Sequence, residues 1–395
     1  MFRSEVNHEN EYIYYNANLV NPLSNRSTVP CSFEQNFNKE LIDDVSQYNL
    51  AITRFCVSTQ NIPFWVCPIV QNQPNVNLTP YYIRLHYTDA MSREANSGNI
   101  NLLYVNTIDP PVTQNNGASY YFSYNKQDFI NMINVAISTA MDALRANYIA
   151  SYPSGVTYPP PVGAQFINGL PNPDLPVFSY NESLQKFQIY FSANTWLSSS
   201  PTGIHFFIND LLYPFLQMPS MNTIQNTPDY RIEVVINDNY YTPSYYSTPS
   251  YSGLLTVPFV VVHSGHNTLG LFTPLNKIVF TSQSLQIASE SVQPATALFN
   301  SASPSEINQV VNQQIITDFQ PDMTTQNLVN RDFIQFNQSL INSRLIPFST
   351  NKAQLKRLDV IVYWSDKNNN LYPLLLYPDC AFDLKLCFVK KSARN

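Results

Sequence analysis

From Leu358 onward the side chains alternate with the two-residue period that an extended strand sorts onto two faces. Leu358, Val360, Val362 and Trp364 fall on one side, and Asp359, Ile361 and Tyr363 on the other. Phe382, Leu384, Leu386 and Phe388 repeat the pattern against Asp383 and Lys385. Between them, Asp366–Asn370 is a turn by composition and Leu371–Tyr377 a further strand. Adjoining strands separated by short polar turns predict a meander or sandwich rather than alternating β and α units.

The same period recurs upstream. Tyr12–Val20 opens as a strand, and Tyr48–Val57 alternates with Leu50 and Ile52 on one face. Near Arg54 the apolar phase switches to Phe55 and Val57, as a bulge of one extra residue would cause. Tyr81–Tyr87, Asn101–Asn106, Tyr120–Tyr124, Leu184–Phe191, Ile204–Ile208, Tyr230–Ile236, Leu254–His263, Lys277–Ser282 and Gln314–Phe319 are further candidate strands. One segment breaks the rule. Phe129, Ile130, Ile133, Ala136, Ile137, Ala140, Met141, Leu144 and Tyr148 recur at three- and four-residue spacing. This predicts an amphipathic helix over about 125–148, packed on a sheet. Asn125 is placed to cap it, Asp128 suits its positive end, and Asn131, Asn134, Asp142 and Arg145 should face solvent.

Two stretches read as long loops. Ser151–Pro176 is rich in proline, including Pro159-Pro160-Pro161. Asp238–Gly253 carries Tyr240, Tyr241, Tyr245, Tyr246 and Tyr251 among Ser and Pro. Tyrosine offers large contact area at low entropic cost, so these five are the candidate contact residues of an exposed loop. A loop lying over its own domain would have the same composition.

Composition bears on what the exterior meets. Only 12% of the residues are charged, with 26 Tyr, 24 Phe and 29 Pro, where an ordinary soluble domain carries about 25% charge. Contact surfaces between proteins are depleted in Lys, Glu and Asp and enriched in Tyr and Phe, which points to a building block of an assembly. An AT-rich genome would bias codons the same way without structural meaning. The net charge of −6 and the single basic cluster, Lys390, Lys391 and Arg394, argue against direct nucleic-acid binding. Apolar runs fall short of the roughly 18 residues a membrane helix needs, so no transmembrane segment is expected. The polar start, Met1–His8, lacks a signal-peptide pattern, and a reducing compartment is the expected site of synthesis. Cys31, Cys56, Cys67, Cys380 and Cys387 are odd in number with no CxxC pair, as for structural thiols. The sequons at Asn25, Asn77, Asn181 and Asn337 then reflect an Asn-rich chain.

Motifs of chemistry are missing. The nine glycines form neither GxxxxGK nor GxGxxG, and GxSxG does not occur. His263-Ser-Gly-His266 is the only close histidine pair, without a neighbouring Cys, Asp or Glu in sequence to complete a metal site. No catalytic residues, metal or cofactor are expected, although triads assemble in space.

Leu275–Glu290, Ile315–Pro321, Leu358–Leu374 and Phe382–Lys391, with Tyr48–Phe64 and Tyr120–Tyr148 upstream, resemble minor capsid (penton) proteins of virophages and polinton-like double-stranded DNA viruses. The resemblance covers about half the chain as discontinuous segments, and 151–253 matches nothing comparable. It implies an all-β, jelly-roll β-sandwich, with residues 1–153 and 254–395 as base and 154–253 as an inserted, β-rich upper region. It further implies a non-enzymatic, homopentameric penton subunit at an icosahedral vertex, beside the major capsid protein, with outward loops for a host receptor. Its place is the virion, after assembly in host cytoplasm or nucleus. Two alternatives stand beside this: a major coat protein, which in this lineage needs two jelly rolls, and a β-sandwich carbohydrate-binding or glycoside-hydrolysing protein using Trp65, Trp196 or Trp364 to stack sugars.

Overall fold

The computed structural model describes residues 11–25, 28–70, 77–88, 94–104, 120–151, 175–192, 196, 203–226, 229–236, 259–272, 275–288, 314–321, 333–337, 344–349, 353–366 and 371–391. Its contacts form two units, Met1–Pro63 with Pro274–Asn395, and Phe64–Thr273.

The first unit is a two-sheet sandwich. Its eight main strands, in chain order, are Tyr12–Asn21, Ser32–Asn36, Tyr48–Ser58, Lys277–Ser282, Gln314–Phe319, Phe333–Asn337, Arg357–Ser365 and Cys380–Lys390. One sheet runs first, eighth, third, sixth; the other runs second, seventh, fourth, fifth. All these pairs are antiparallel. This interleaving of strands from both ends of the unit is the jelly roll, in which double-sheet closure limits exposed edges. The second unit enters between the third and fourth strands.

The alternation read from the sequence places the core. Phe382, Leu384, Leu386 and Phe388 are buried, as are Val360, Val362 and Trp364. Aromatic rings join the two sheets: Phe55 meets Phe280 edge-on at 5.0 Å between centroids, and Phe33 lies 6.4 Å from Phe382. The opposite phase of the seventh strand is apolar too. There Tyr363 packs with Val279 and Leu371 in a separate cluster flanked by Ile315 and Ile361. The phase switch in Tyr48–Ser58 is a bulge: Lys385 pairs with Arg54 and Leu386 with Ile52, leaving Thr53 as the extra residue. Its hydroxyl donates to the Lys385 carbonyl at 3.2 Å.

The expected Leu371–Tyr377 strand is two short pieces, Leu371–Pro373 and Leu375–Leu376. Pro373 has no N–H to donate, and Leu374 breaks away to bond Val362 and Cys31 through its backbone.

The second unit holds a six-stranded sheet in the order Ser220–Asn226, Asp229–Val234, Gly203–Asn209, Leu78–Thr88, with Glu94–Asn96 and Ile100–Leu103 both on the last. A three-stranded sheet, Val177–Asn181, Lys186–Ser192 and Phe259–His263, and the pair Trp65–Pro68 with Tyr120–Ser123 complete it. The helix spans Lys126–Ala150. Asn125 caps it, accepting from the Asp128 amide at 2.8 Å. Its stripe packs on strands Leu78–Thr88 and Ile100–Leu103, with Phe129, Ile133, Ala140 and Leu144 buried. Asn134, expected in solvent, instead makes a two-point bond with Phe178: its amide donates to the carbonyl at 2.9 Å and its oxygen accepts from the N–H at 2.8 Å. The base-and-insertion division expected at 153/154 and 253/254 stands beside a contact division at 63/64 and 273/274, in which the helix shares its core with all three sheets of the second unit.

Candidate assembly surfaces

Strand Tyr12–Asn21 is bonded on one side only among the described residues, to Cys380–Lys390. Its ten residues include no charge and no proline, the two devices by which edges usually avoid further pairing. Tyr12, Tyr14 and Val20 are exposed on its outer phase, and Leu23 just beyond is 71% exposed. The Lys385 ammonium lies over the Tyr14 ring at 4.4 Å from its centroid. Across the same face, Arg54 pairs with Asp383 at 2.8 Å and Phe333 is half-exposed. This face combines bare aromatic area with charges that are already paired, a composition suited to protein contact.

Groups able to do chemistry are occupied elsewhere. The Asp359 carboxylate accepts from Ser282 Oγ at 2.7 Å, the Gln283 amide at 2.8 Å, the Ser284 amide at 2.9 Å and Ser284 Oγ. Burial alone would raise its pKa, but these bonds overcome that and hold it below the usual carboxylate range. It anchors the turn after Lys277–Ser282. All five cysteines are free thiols, four of them buried. Burial pushes Cys31 and Cys67 well up, and Cys387 up to about 11, so they are poor nucleophiles. Among the described residues no group of three His, Cys, Asp or Glu side chains is arranged to hold a metal ion. No helix among them is long and apolar enough to cross a membrane.

Trp65, Trp196 and Trp364 are 3%, 0% and 1% exposed. As core residues they offer no platform for a sugar, which removes the sequence basis of the glycan reading. His263 ends a strand half-buried while His266 is exposed in the following turn. Tyr240, Tyr241, Tyr245, Tyr246 and Tyr251 lie outside the described residues. A pairing that sequence reading missed is His86 with His205, opposite each other across the six-stranded sheet. His86 occupies the half-buried phase of an alternating strand, whereas His205 shares its phase with buried Phe207, so neither periodicity nor the register of the two strands was a usable signal in sequence.

Comparison with known proteins decides the class. The model of the family "Sputnik minor capsid protein V18/19" matches residues 13–390. The chain belongs to this family. Among curated relatives, protein V18 of Sputnik virophage is 26% identical over 162 residues, 37% of this chain and 91% of V18. Structural protein V19 of the same virophage is 24% identical over 218 residues, 54% of this chain and 94% of V19. A chain in the 3.5 Å cryo-EM structure of the Sputnik virophage superposes with a TM-score of 0.66 at 23% identity, covering 98% of this chain and 100% of its own. The mavirus penton protein superposes with a TM-score of 0.53 at 17% identity, covering 96% and 99%. This Sputnik-type minor capsid protein is a structural, non-enzymatic component of the virion, built on the jelly roll that the strand order displays.

Proposed function

We propose that the chain is the penton subunit: five copies form a ring that closes an icosahedral vertex and seats against the neighbouring major capsid protein. The observation that carries this is the strand order, one eight-stranded jelly roll interrupted between its third and fourth strands by residues 64–273. A major coat protein of the double-jelly-roll kind would need that order twice. Among the described residues the second unit has another topology, with a six-stranded sheet beside a helix. The likeness to the mavirus penton protein supports the same choice.

A ring subunit meets identical neighbours on two sides through a heterologous contact that closes by rotation. The uncharged Tyr12–Asn21 edge and the sparse charge of the whole chain suit such burial. The inserted unit would carry the outward loops, with Tyr240, Tyr241, Tyr245, Tyr246 and Tyr251 as contact residues for a host receptor. The acidic balance assigns it no direct genome contact.

Mass measurement on the purified chain tests this. Five copies of the 45.0 kDa subunit give about 225 kDa, and particle imaging should place that density on the fivefold axis. A persistent monomer or trimer, or density away from the vertex, would overturn the assignment.

A further inference from the structure

The two sheets of the jelly roll end differently. In the sheet of second, seventh, fourth and fifth strands, both outer strands carry a charge. Glu34 in Ser32–Asn36 pairs with Arg357 at 3.0 Å, and Asp318 in Gln314–Phe319 pairs with Lys277 at 3.0 Å. Charged side chains are a common guard against further strand pairing. The other sheet lacks that guard. Its outer strands, Tyr12–Asn21 and Phe333–Asn337, contain neither charge nor proline, and among the described residues each pairs with a single strand. Next to Phe333–Asn337, the start of the third strand pairs with Ile346–Pro347, and Pro347 has no N–H to offer a further strand. The bare stretch on that edge is therefore Phe333–Asn337 itself.

At these bare edges the core is also incomplete. On the inward phase the central residues Phe55, Leu384 and Leu386 are fully buried, whereas Tyr15 and Leu19 on one edge and Phe336 on the other are half-buried. On the outward phase Val20 is 58% exposed and Phe333 51%. Polarity and level decide what fits there. Each strand of this sheet is antiparallel to its neighbour, so the outermost two of the four run in opposite directions. A copy set head to tail beside another, its sixth strand against the first of the next, therefore continues the antiparallel ladder. Ile334, Val57, Phe382 and Leu19 form one row across the sheet, and Phe336, Phe55, Leu384 and Ala17 another. Rotation about an axis along the strands keeps each row at one level. It brings Ile334 to Leu19 and Phe336 to Ala17 of the next copy, and on the outward phase Phe333 to Val20. Inward residues meet inward ones, as the two-residue period requires.

We infer that this sheet runs unbroken from copy to copy, Phe333–Asn337 of each adding as a strand to Tyr12–Asn21 of the next. The inference rests on the penton reading above and supplies the heterologous contact that such a ring needs. Backbone hydrogen bonds hold the joint, and the half-buried Tyr15, Leu19 and Phe336 complete their burial across it. The charged edges of the other sheet stay unpaired, so only one layer of the sandwich is shared.

Val20→Cys combined with Phe333→Cys in the full chain tests this, because directly opposed residues of antiparallel strands lie within disulfide reach. Oxidation should link copies into a ladder that ends at the ring of five, and either single variant should stay unlinked. A second pair of variants reads the same contact through charge. Val20→Lys with Phe333→Lys sets like charges opposite each other and should raise the concentration at which the ring dissociates severalfold. Val20→Lys with Phe333→Glu should bring it back, with the far-UV circular dichroism of the dissociated subunit unchanged in both. A ring of five without the double-cysteine ladder, dimers linked through one single variant, or equal dissociation of the two charge variants would overturn the shared sheet and leave the penton reading standing. No ring of five in the unsubstituted chain would overturn both.

Discussion

The jelly-roll unit and the inserted unit bury their apolar surface by different means. In the first, two sheets face each other and strands alternate inward and outward, so one phase of each strand supplies the core. In the second, one helix stripe is enclosed by strands and short helices, and aromatic rings fill the space. Phe129 lies 4.8 Å from Phe272, 5.2 Å from Trp65, 5.6 Å from Phe187 and 6.0 Å from Phe178, centroid to centroid. A sandwich spreads its stability along many cross-strand pairs. A helix-centred core concentrates it on the few residues that every element touches.

Breaking that concentration should give the largest effect. Phe129→Ala should destabilise the second unit by about 3–5 kcal/mol, the usual range for a buried Phe, and Phe129→Leu by much less. The three tryptophans make this readable, because Trp65 and Trp196 lie in the second unit and Trp364 in the first. Denaturation followed with Trp364 as sole fluorophore should shift far less than with Trp65 alone. Equal shifts would show one cooperative core and would dissolve the contrast.

Next comes the jelly-roll unit's own buried polar anchor. Asp359→Ala leaves the Gln283 and Ser284 amides and two serine hydroxyls without their acceptor and should cost roughly 2–3 kcal/mol. Asp359 is depressed on folding, since its hydrogen bonds outweigh burial. Its contribution is therefore present above the unfolded carboxylate value and lost only as pH falls below about 3.8. The jelly-roll unit should thus weaken on an acid titration in the carboxylate range. A circular-dichroism titration in which Asp359→Ala matches the parent chain through that range would remove this role.

How much of this could be read from the residues also differs between the units. Strands that are central and half-covered declare themselves: 358–364, 382–388 and 48–57 alternate, and even the bulge at Thr53 is visible as a phase switch. Edge strands do so unevenly: Tyr12–Val20 and Gln314–Phe319 read as strands, but three others do not. Ser32–Asn36, Phe333–Asn337 and Ser220–Asn226 went unnoticed, because their pairing is dictated by a partner's free hydrogen-bonding row rather than by their own alternation. The helix was legible through its stripe and cap, but Asn134 looked like solvent until the Phe178 backbone was set beside it. The family was visible in the jelly-roll segments, where strand order constrains pattern. The histidine pair was not, since only the register of two strands far apart in sequence brings His86 to His205.

A smaller effect sharpens the helix-centred picture. Asn125→Ala removes the oxygen that accepts from the Asp128 amide. It should cost about 1 kcal/mol, confined to the second unit's transition. Asp128 would feel the change: burial raises its carboxyl while Asn125 and Ser123 lower it. Loss of the Asn125 bond should raise it further, visible as an upward-shifted carboxyl titration by NMR. An unchanged titration would mean the cap acts on the backbone alone.

The smallest predicted effect lies at the same helix end. Lys126 forms an ion pair with Glu182 and sits over the Tyr180 ring at 4.1 Å from its centroid, so one ammonium joins the helix N-terminus to the Val177–Asn181 hairpin. Glu182 is largely exposed, which screens the pair. Exposed ion pairs and cation–π contacts each contribute about 0.5–1 kcal/mol at most. A positive charge at a helix N-terminus is itself unfavourable. Lys126→Met, which keeps the apolar stem, should therefore change the second unit's stability by less than about 1 kcal/mol. Added salt should erase what difference remains if the ion pair carries it, and leave the difference intact if the ring does. A loss comparable to that of Phe129→Ala would mean that the unit is held from its rim rather than from its centre.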